Sequence, residues 1–438
     1  MRKTVTLLAT TAAVLVLAFV GLLSFFMLCT WKYGGIGIKW DADVPNVCDR
    51  RVSDAFMALR EIVEAPARRL GEFVISNGRR RRHDFPDDSA YLAYVDCVDS
   101  IVGGINLSHS VDEVCGCLGA VKQHGPDVNL WVNACHDACF TLHESAIVDF
   151  ARNSPASALA KLELLARLGN AIRGELGWSG YEIGATCCFL AARETLRNYD
   201  AILSAGVDEK RVSAIVEKCG TLQQRIGVLR TALADTSEDE VRKVLPYATS
   251  SEGQLERILS AIPGYNEYAF QPDKGYARLE SEKERMLNSL PSGRWTPNTL
   301  VRSDSISVLS PNSRFDKRIR PGCFGSLYGR VSDGFWRNHL QCEFVRVHYA
   351  MLCFKKANGS FPDRLERLVP EYLAEVPTDP YGGEPMRYSA EKRCLWVHGP
   401  ERCFRIEDID MSKPINERIK SIKSGMYKFV YGLDWLDY

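Results

Sequence analysis

Between Ala357 and Ser389 the chain reads ANGSFPDRLERLVPEYLAEVPTDPYGGEPMRYS, and its Gly and Pro residues leave little freedom in how that stretch folds. Upstream, Phe335, Leu340, Phe344, Val347, Met351 and Phe354 recur at helical spacing over Phe335–Lys356. Gly359 follows where a left-handed residue closes a last helical turn. Pro362 and Pro370 bracket a short helical segment that can turn Leu365, Leu368 and Val369 inward. Asp379-Pro380 and Gly382-Gly383 supply turn chemistry ahead of a strand, and RCLWVHG, which ends at Gly399, alternates as a second strand. The pattern predicts a small α+β unit of helix, turn-rich connection and antiparallel sheet.

The rest of the chain is helical in period, so the predicted class is α+β with helix dominating. From Arg51 to about Leu290, apolar stripes such as Phe56, Leu59, Ile62 and Val63 repeat. Ser154-Pro155 opens a helix bearing Leu159, Leu162, Leu165, Ala166 and Leu168. Further helices are expected over Tyr181–Leu203 and Glu209–Ala234. Ser237 with Glu240 forms a capping box, and Tyr276–Leu290 reads as a charged, mainly exposed helix. Pro291 to Gly325 loses this period and gains Pro, Ser, Asn and Arg, as a linker does. The predicted order is an anchor (1–33), a helical body (50–290), a linker (291–325), an α+β domain (326–412) and a tail (413–438). The tail holds an amphipathic piece, Ile415–Met426, and the aromatics Tyr427, Phe429, Tyr431, Trp435 and Tyr438.

Arg2 and Lys3 precede an uncharged apolar run from Thr4 to Thr30. As a helix, Val5 to Cys29 reaches about 37 Å, enough for a hydrocarbon core of about 30 Å. Trp31, Lys32 and Tyr33 form an interface anchor. Bulky Leu28 before Cys29 argues against lipoprotein processing, and the A-x-A-like site of a cleaved signal peptide is missing. The expectation is a single pass in a bacterial cytoplasmic membrane, with the N-terminus inside and the body extracytoplasmic. Lys+Arg and Asp+Glu balance at 55 each, so no global field draws in nucleic acid. The compact Arg79–Arg82 run with His83 reads as a solvated loop beside Asp87 and Asp88.

The chain has fifteen cysteines, an odd number. In an oxidising compartment they imply disulfides with at least one thiol left over; in a reducing one, buried thiols or metal ligands. The turn His124-Gly125-Pro126-Asp127 brings Cys115 and Cys117 level with Cys135. Cys135, Cys139 and His143, at i, i+4 and i+8, share a helix face. Disulfide staples, buried thiols and a zinc-type site built on Cys115, Cys117, Cys135, Cys139 and His143 all fit, with staples preferred. Cys187-Cys188 reads as core on a helix. No nucleophile elbow, phosphate loop, dinucleotide fingerprint or paired-histidine motif is present, so no catalytic or cofactor-binding residue is assigned.

The segment from Phe335 to about Met411 resembles the globular part of the major pseudopilins of type II secretion. It is closer still to pseudopilin-like tails on large planctomycete-type bacterial membrane proteins. The likeness rests on Gly359, Phe361-Pro362, Leu365, Leu368, Pro370, Tyr372-Leu373, Pro377 with Asp379-Pro380-Tyr381-Gly382, and Tyr388. It implies a helix-plus-antiparallel-sheet domain in which these residues are structural. The chain departs from the family in lacking a glutamate in the apolar run and in placing a large body between that run and the domain. Where the family has a calcium loop, this chain reads Val397-His398-Gly399-Pro400-Glu401-Arg402. Glu401, Glu407, Asp408 and Asp410 could supply calcium oxygens there, but such a site needs about six or more.

Together these readings point to a membrane-anchored envelope protein with a structural or interaction role and protein partners, linked to a secretion or pilus-like assembly. The competing classes are an extracytoplasmic hydrolase-like enzyme and a Cys/His metal module.

Overall fold

Two long helices of the core cross at glycines. In a computed structural model of the chain, α3 (Pro155–Glu175) and α4 (Gly177–Arg197) form the most extensive helix pair. A Cβ on Gly184 would lie 2.3 Å from the carbonyl oxygen of Gly169, and one on Gly169 would lie 2.7 Å from Cβ of Cys187. The backbones therefore meet directly, a spacing that any larger side chain would force apart. α3 begins at Pro155 as the sequence predicts, and its stripe of Leu159, Leu162, Leu165, Ala166 and Leu168 is buried.

The structure describes residues 87–102, 111, 114, 115, 118, 128–234, 272–294, 327–399 and 429–433. Nearly all belong to one unit, made of Val47–Ser237, Glu280–Val301 and Gly325–Tyr438. The second unit, Met1–Asn46, Glu238–Leu279 and Arg302–Phe324, enters the described residues only as the start of one helix. The predicted anchor, the Arg79–Arg82 run, the Ser237–Glu240 box, Ile415–Met426, the acidic residues Glu401 to Asp410 and most of the linker lie outside the described residues. Among the described residues, no helix is long and apolar enough to cross a membrane.

Around the α3–α4 pair stand α1 (Asp88–Val102), which packs on α2 (Val128–Ala151), and α2, which packs on α3. A short α5 (Tyr199–Ser204), α6 (Glu209–Glu217) and α7 (Leu222–Ala232) complete the body. The helix expected over Tyr181–Leu203 starts earlier and breaks at Asn198, whose side chain donates to the carbonyl of Glu194 at 2.9 Å. The one expected over Glu209–Ala234 is two helices. Gly220 takes φ +69, and Thr221 with Gln224 forms a capping box that starts α7 afresh. α8 (Pro272–Ser289) carries the predicted charged stretch, yet from Glu280 onward it is not mainly exposed. Glu282, Lys283, Met286 and Leu287 are buried, and Lys283 donates to the carbonyl of Ala234 at 3.2 Å.

The C-terminal region does not stand apart from the body. α9 (Leu327–Asn358) lies along α4; Leu340, Phe344, Val347 and Met351 share one core with body residues, and Phe335 and Trp336 are buried as well. Tyr181 of α4 stacks between Trp178 and Phe335 at centroid distances of 5.6 and 6.2 Å. Aromatic pairs of this kind contribute about 0.5–1.5 kcal/mol beyond the area they bury. After α9 come a 3₁₀ turn, Leu365–Leu368, and an antiparallel sheet ordered β1 (Arg387–Ser389), β2 (Cys394–Trp396), β3 (Val430–Gly432). The architecture is thus predominantly helical α+β with a small three-stranded antiparallel sheet. β2 is buried at all three residues, because it is the middle strand and both its faces are covered. β3 comes from the segment expected to be a tail. Tyr431 on it packs against Phe344 of α9 at 5.8 Å and Phe189 of α4 at 6.4 Å, joining sheet, long helix and body.

Candidate functional site

Among the described residues, chemistry-bearing side chains gather in three places. The first lies between α1, α2 and α4. His143, on the inward face of α2, is buried with Nδ1 3.8 Å from Glu144 and Nε2 3.7 Å from Glu194. Both distances are those of ion-pair contacts rather than hydrogen bonds. Tyr91 of α1 donates to Glu144 at 2.5 Å. Glu194 accepts from Arg193 at 2.7–2.8 Å and from Arg197 at 3.2 Å. Burial alone would push His143 toward the neutral form; the two carboxylates outweigh it and raise the pKa. Glu194 is likewise opposed by burial and held well below the carboxylate range by Arg193, His143 and Arg197. Beside this group, Lys161 donates to Ser145 at 2.5 Å and pairs with Asp149 at 3.0 Å. An ammonium held by a carboxylate is a donor to the hydroxyl and not a base for it, so this is a tie between α2 and α3 rather than a Ser–Lys nucleophile.

The second place joins the body to α9. Arg225, 1% exposed, donates through one nitrogen to the carbonyls of Cys219 at 3.1 Å and Gly220 at 2.8 Å. Its other terminal nitrogen meets Nδ1 of His339 and Oε1 of Glu343, each at 2.7 Å. Glu343 also accepts from Arg346 at 2.7 Å. Burial and then the Arg225 guanidinium push His339 down to about 3, so its ring is the neutral acceptor. Beside this cluster the Cys219 thiol is directed to the carbonyl of Cys188 at 3.9 Å, and Cys342 is buried.

The third place is the Asp379 turn. Asp379 is buried, and its carboxylate accepts from the amides of Tyr381 at 2.9 Å and Gly399 at 3.1 Å. Its own amide donates to Glu384 at 2.7 Å, and its carbonyl accepts from Gly383 at 2.7 Å. A Cβ at Gly382 would lie 3.3 Å from the carboxylate. The other residues picked from the sequence surround it. Gly359 closes α9 at φ +79, Leu365, Leu368 and Leu373 are buried, and Phe361 lies between Lys355 and Arg393 at 5.3 and 5.5 Å. Tyr372 packs on Phe354 at 5.8 Å, Tyr381 packs edge-on against Phe429 at 5.5 Å, and Met386 donates to the carbonyl of Pro377 at 2.7 Å. Tyr388 pairs with Leu395 in the sheet. Pro362 and Pro380 are buried and Pro370 is exposed in the same connection. Except for the exposed Pro370, these positions serve packing or backbone bonding.

The predicted cysteine site changes character. Cys117 lies outside the described residues. The Cys139 thiol contacts Cys187 of α4, and Cys135 lies near Cys187 and Cys115; none of these three candidates is in a disulfide. Burial, with the neighbouring thiols, pushes Cys135 up to about 12 and holds Cys139 well above its ordinary value. His143 is committed to its carboxylates, and no group of three or more His, Cys, Asp or Glu converges among the described residues. The i, i+4 face of α2 turns into the core, where Cys135 and Cys139 are buried toward α4. Sequence reasoning missed Arg225, Glu343, His339 and Glu194. Each lies on an amphipathic helix, where charge reads as a solvated face. No family model matches the chain, and neither a curated protein nor a solved structure is significantly similar to it.

Proposed function

We propose that the protein is a single-pass, membrane-anchored envelope component of a bacterial cell with a structural or protein-interaction role, linked to a type II secretion or pilus-like assembly. The observation that carries this reading is the segment from α9 to β3. It runs as a long helix closed at Gly359, a proline-punctuated connection, the Asp379 turn and a three-stranded antiparallel sheet, the order expected of a pseudopilin-like domain. Its buried Asp379 and its left-handed Gly359 hold backbone together. Where a pseudopilin helix would continue into the membrane, the first half of α9 is occupied by α4 and the Arg225 cluster. The domain therefore presents itself on a body, and partner recognition falls to the assembled unit.

Two measurements test the reading. Carbonate extraction of bacterial membranes should leave the full chain in the pellet and release a version lacking residues 4–30; release of the full chain sinks the anchor. Cross-linking in intact cells should place the chain in a complex with inner-membrane secretion or pilus-assembly components. Asp379→Asn sets an amide NH₂ against one of two backbone N–H groups, at a cost of about 1–3 kcal/mol, and should weaken that complex in step with the lost stability. A chain that cross-links to no such component overturns the assembly role.

A further inference from the structure

Two buried guanidiniums meet at one turn. Arg173 of α3 donates to the carbonyl of Lys218 at 3.0 Å, and Arg225 of α7 donates to the next two carbonyls, Cys219 at 3.1 Å and Gly220 at 2.8 Å. Consecutive carbonyls just past α6 thus bring both side chains to the same short piece of backbone. Tyr181 of α4 lies between contacts of the same two arginines. A Cβ on Gly184, one turn along α4 from Tyr181, would lie 2.6 Å from Cβ of Arg173. The Tyr181 ring stacks on Phe335 at 6.2 Å, and one turn further along α9 is His339, which Arg225 meets at 2.7 Å.

Arg173, Arg225 and Tyr181 are 7%, 1% and 1% exposed. Nε of each arginine and the hydroxyl of Tyr181 are buried and have no hydrogen-bond partner among the described residues. Guanidinium nitrogens can only donate, and burial raises the Tyr181 pKa against the pull of Arg225 and Arg173, so the phenol keeps a proton to donate. Charge points the same way. Glu343 is shared by Arg225 and Arg346, and among the described residues no carboxylate pairs with Arg173. The carbonyls after α6 offer only the partial charge of a helix C-terminus, and a buried charge left unpaired is costly. We propose that Arg173, Arg225 and Tyr181 bind one small monovalent anion of the halide class, with chloride as its ordinary occupant, at the junction of α3, α4 and α7 where α9 joins the body. Such an ion accepts from all three donors and neutralises the unpaired guanidinium; a water molecule satisfies donors but leaves the charge. Because Arg225 also grips Glu343 on α9, the bound anion steadies the attachment of the C-terminal region.

The test is urea unfolding of the full chain in sodium chloride against sodium gluconate at equal ionic strength, gluconate being too large for a halide site. With a Kd of about 10 mM, about 0.1 M chloride should lower the unfolding equilibrium constant about tenfold relative to gluconate. Bromide should reproduce the effect, and crystals grown in bromide should show an anomalous peak within hydrogen-bond reach of Arg173, Arg225 and Tyr181. Tyr181→Phe, which keeps the stack on Phe335 and removes only the hydroxyl, should cut the chloride effect severalfold. Arg211→Ala, at an exposed ion pair, should leave it unchanged. Equal unfolding in the two salts overturns the proposal, as does a Tyr181→Phe chain with the full chloride effect. Bromide found on exposed side chains and not at this junction, an adventitious ion only, overturns it too. The salt comparison is read on the unsubstituted chain, so it does not depend on a variant that folds.

Discussion

His143 and His339 are both buried, both on helices and both beside a glutamate, yet the fold drives them in opposite directions. His143 sits between Glu144 and Glu194, and its pKa is raised. His339 sits against the Arg225 guanidinium at 2.7 Å and is pushed down to about 3. Burial acts the same way on each, so the sign is set by whether the dominant neighbouring charge is opposite to the one the ring would carry, as at His143, or like it, as at His339. The His143 group is a carboxylate site that needs a cation, inside the body. The Arg225 group is a guanidinium site that needs acceptors, at the contact between body and α9. The first ties helices close in sequence, and the second determines whether the C-terminal region is part of the same fold.

The largest effect should therefore come from Arg225. Arg225→Met keeps the bulk of the side chain but leaves the buried Glu343 carboxylate with Arg346 alone and frees the carbonyls of Cys219 and Gly220. Removing one partner of a buried pair costs about 3–5 kcal/mol. In urea unfolding the loss should appear with a second, earlier transition as α9 separates from the body. A cooperative curve shifted by less than about 1 kcal/mol would mean that the aromatic contacts of Tyr181, Phe335 and Tyr431 hold α9 without the ion pair.

The pH dependence separates the two histidines by sign. For His143 the folded pKa lies above the ordinary 6.5, so its contribution is whole below about pH 6.5 and is lost as the pH rises through the folded value. For His339 the folded pKa is about 3, so between about 3 and 6.5 the unfolded chain binds the extra proton. Its contribution is whole above about pH 6.5 and declines as the pH falls toward 3. His348, also about 3, adds to the acid decline. Urea midpoints from pH 5 to 8 should show His143→Gln flattening the alkaline side only. His339→Asn, which keeps an acceptor for Arg225, should reduce the acid side only. Curves parallel to the unsubstituted protein in both variants would show that the neighbouring charges do not set the two protonation states.

What the sequence made legible follows from how local each cause is. The Pro155 start of α3, the buried stripe after it and the closure of α9 at Gly359 are decided within a few residues, and all are found. The Asp379-Pro380-Tyr381-Gly382 turn is also legible, since three of its four bonds lie within five residues of Asp379. The break at Gly220 was written in the same local language, as Gly220 followed by a Thr221–Gln224 box, but the apolar period running across it masked it. By contrast, the pairing of Arg225 with Glu343 is a matter of which helix faces meet. So is the meeting of Cys139 with Cys187 and the use of the Val430–Gly432 segment as an edge strand. Helical period gives the existence of a face and not its partner. That is why charges on α4, α7 and α9 read as solvated, and why the body and the C-terminal region looked separable.

The smallest effect should come from an ion pair of better geometry than any in the two buried groups. Arg211 of α6 and Glu163 of α3 form a two-pronged contact at 2.7 and 2.8 Å, with the side chains 42% and 35% exposed. The hydrogen bond to Glu163 raises the Arg211 pKa, but a guanidinium is charged at all working pH values whether or not it is paired, so that shift carries no stability at neutral pH. Solvent screens the pair, and both ends regain water when it breaks, so Arg211→Ala should cost about 0.2–1 kcal/mol. The cost should shrink further in molar salt, where the screening length falls to about 3 Å. The penalty of Arg225→Met should persist in the same salt, because its partners have no water to return to. If instead Arg211→Ala matched Arg225→Met in size, geometry rather than burial would rank the ion pairs of this fold, and the contrast between its buried and exposed charges would fail.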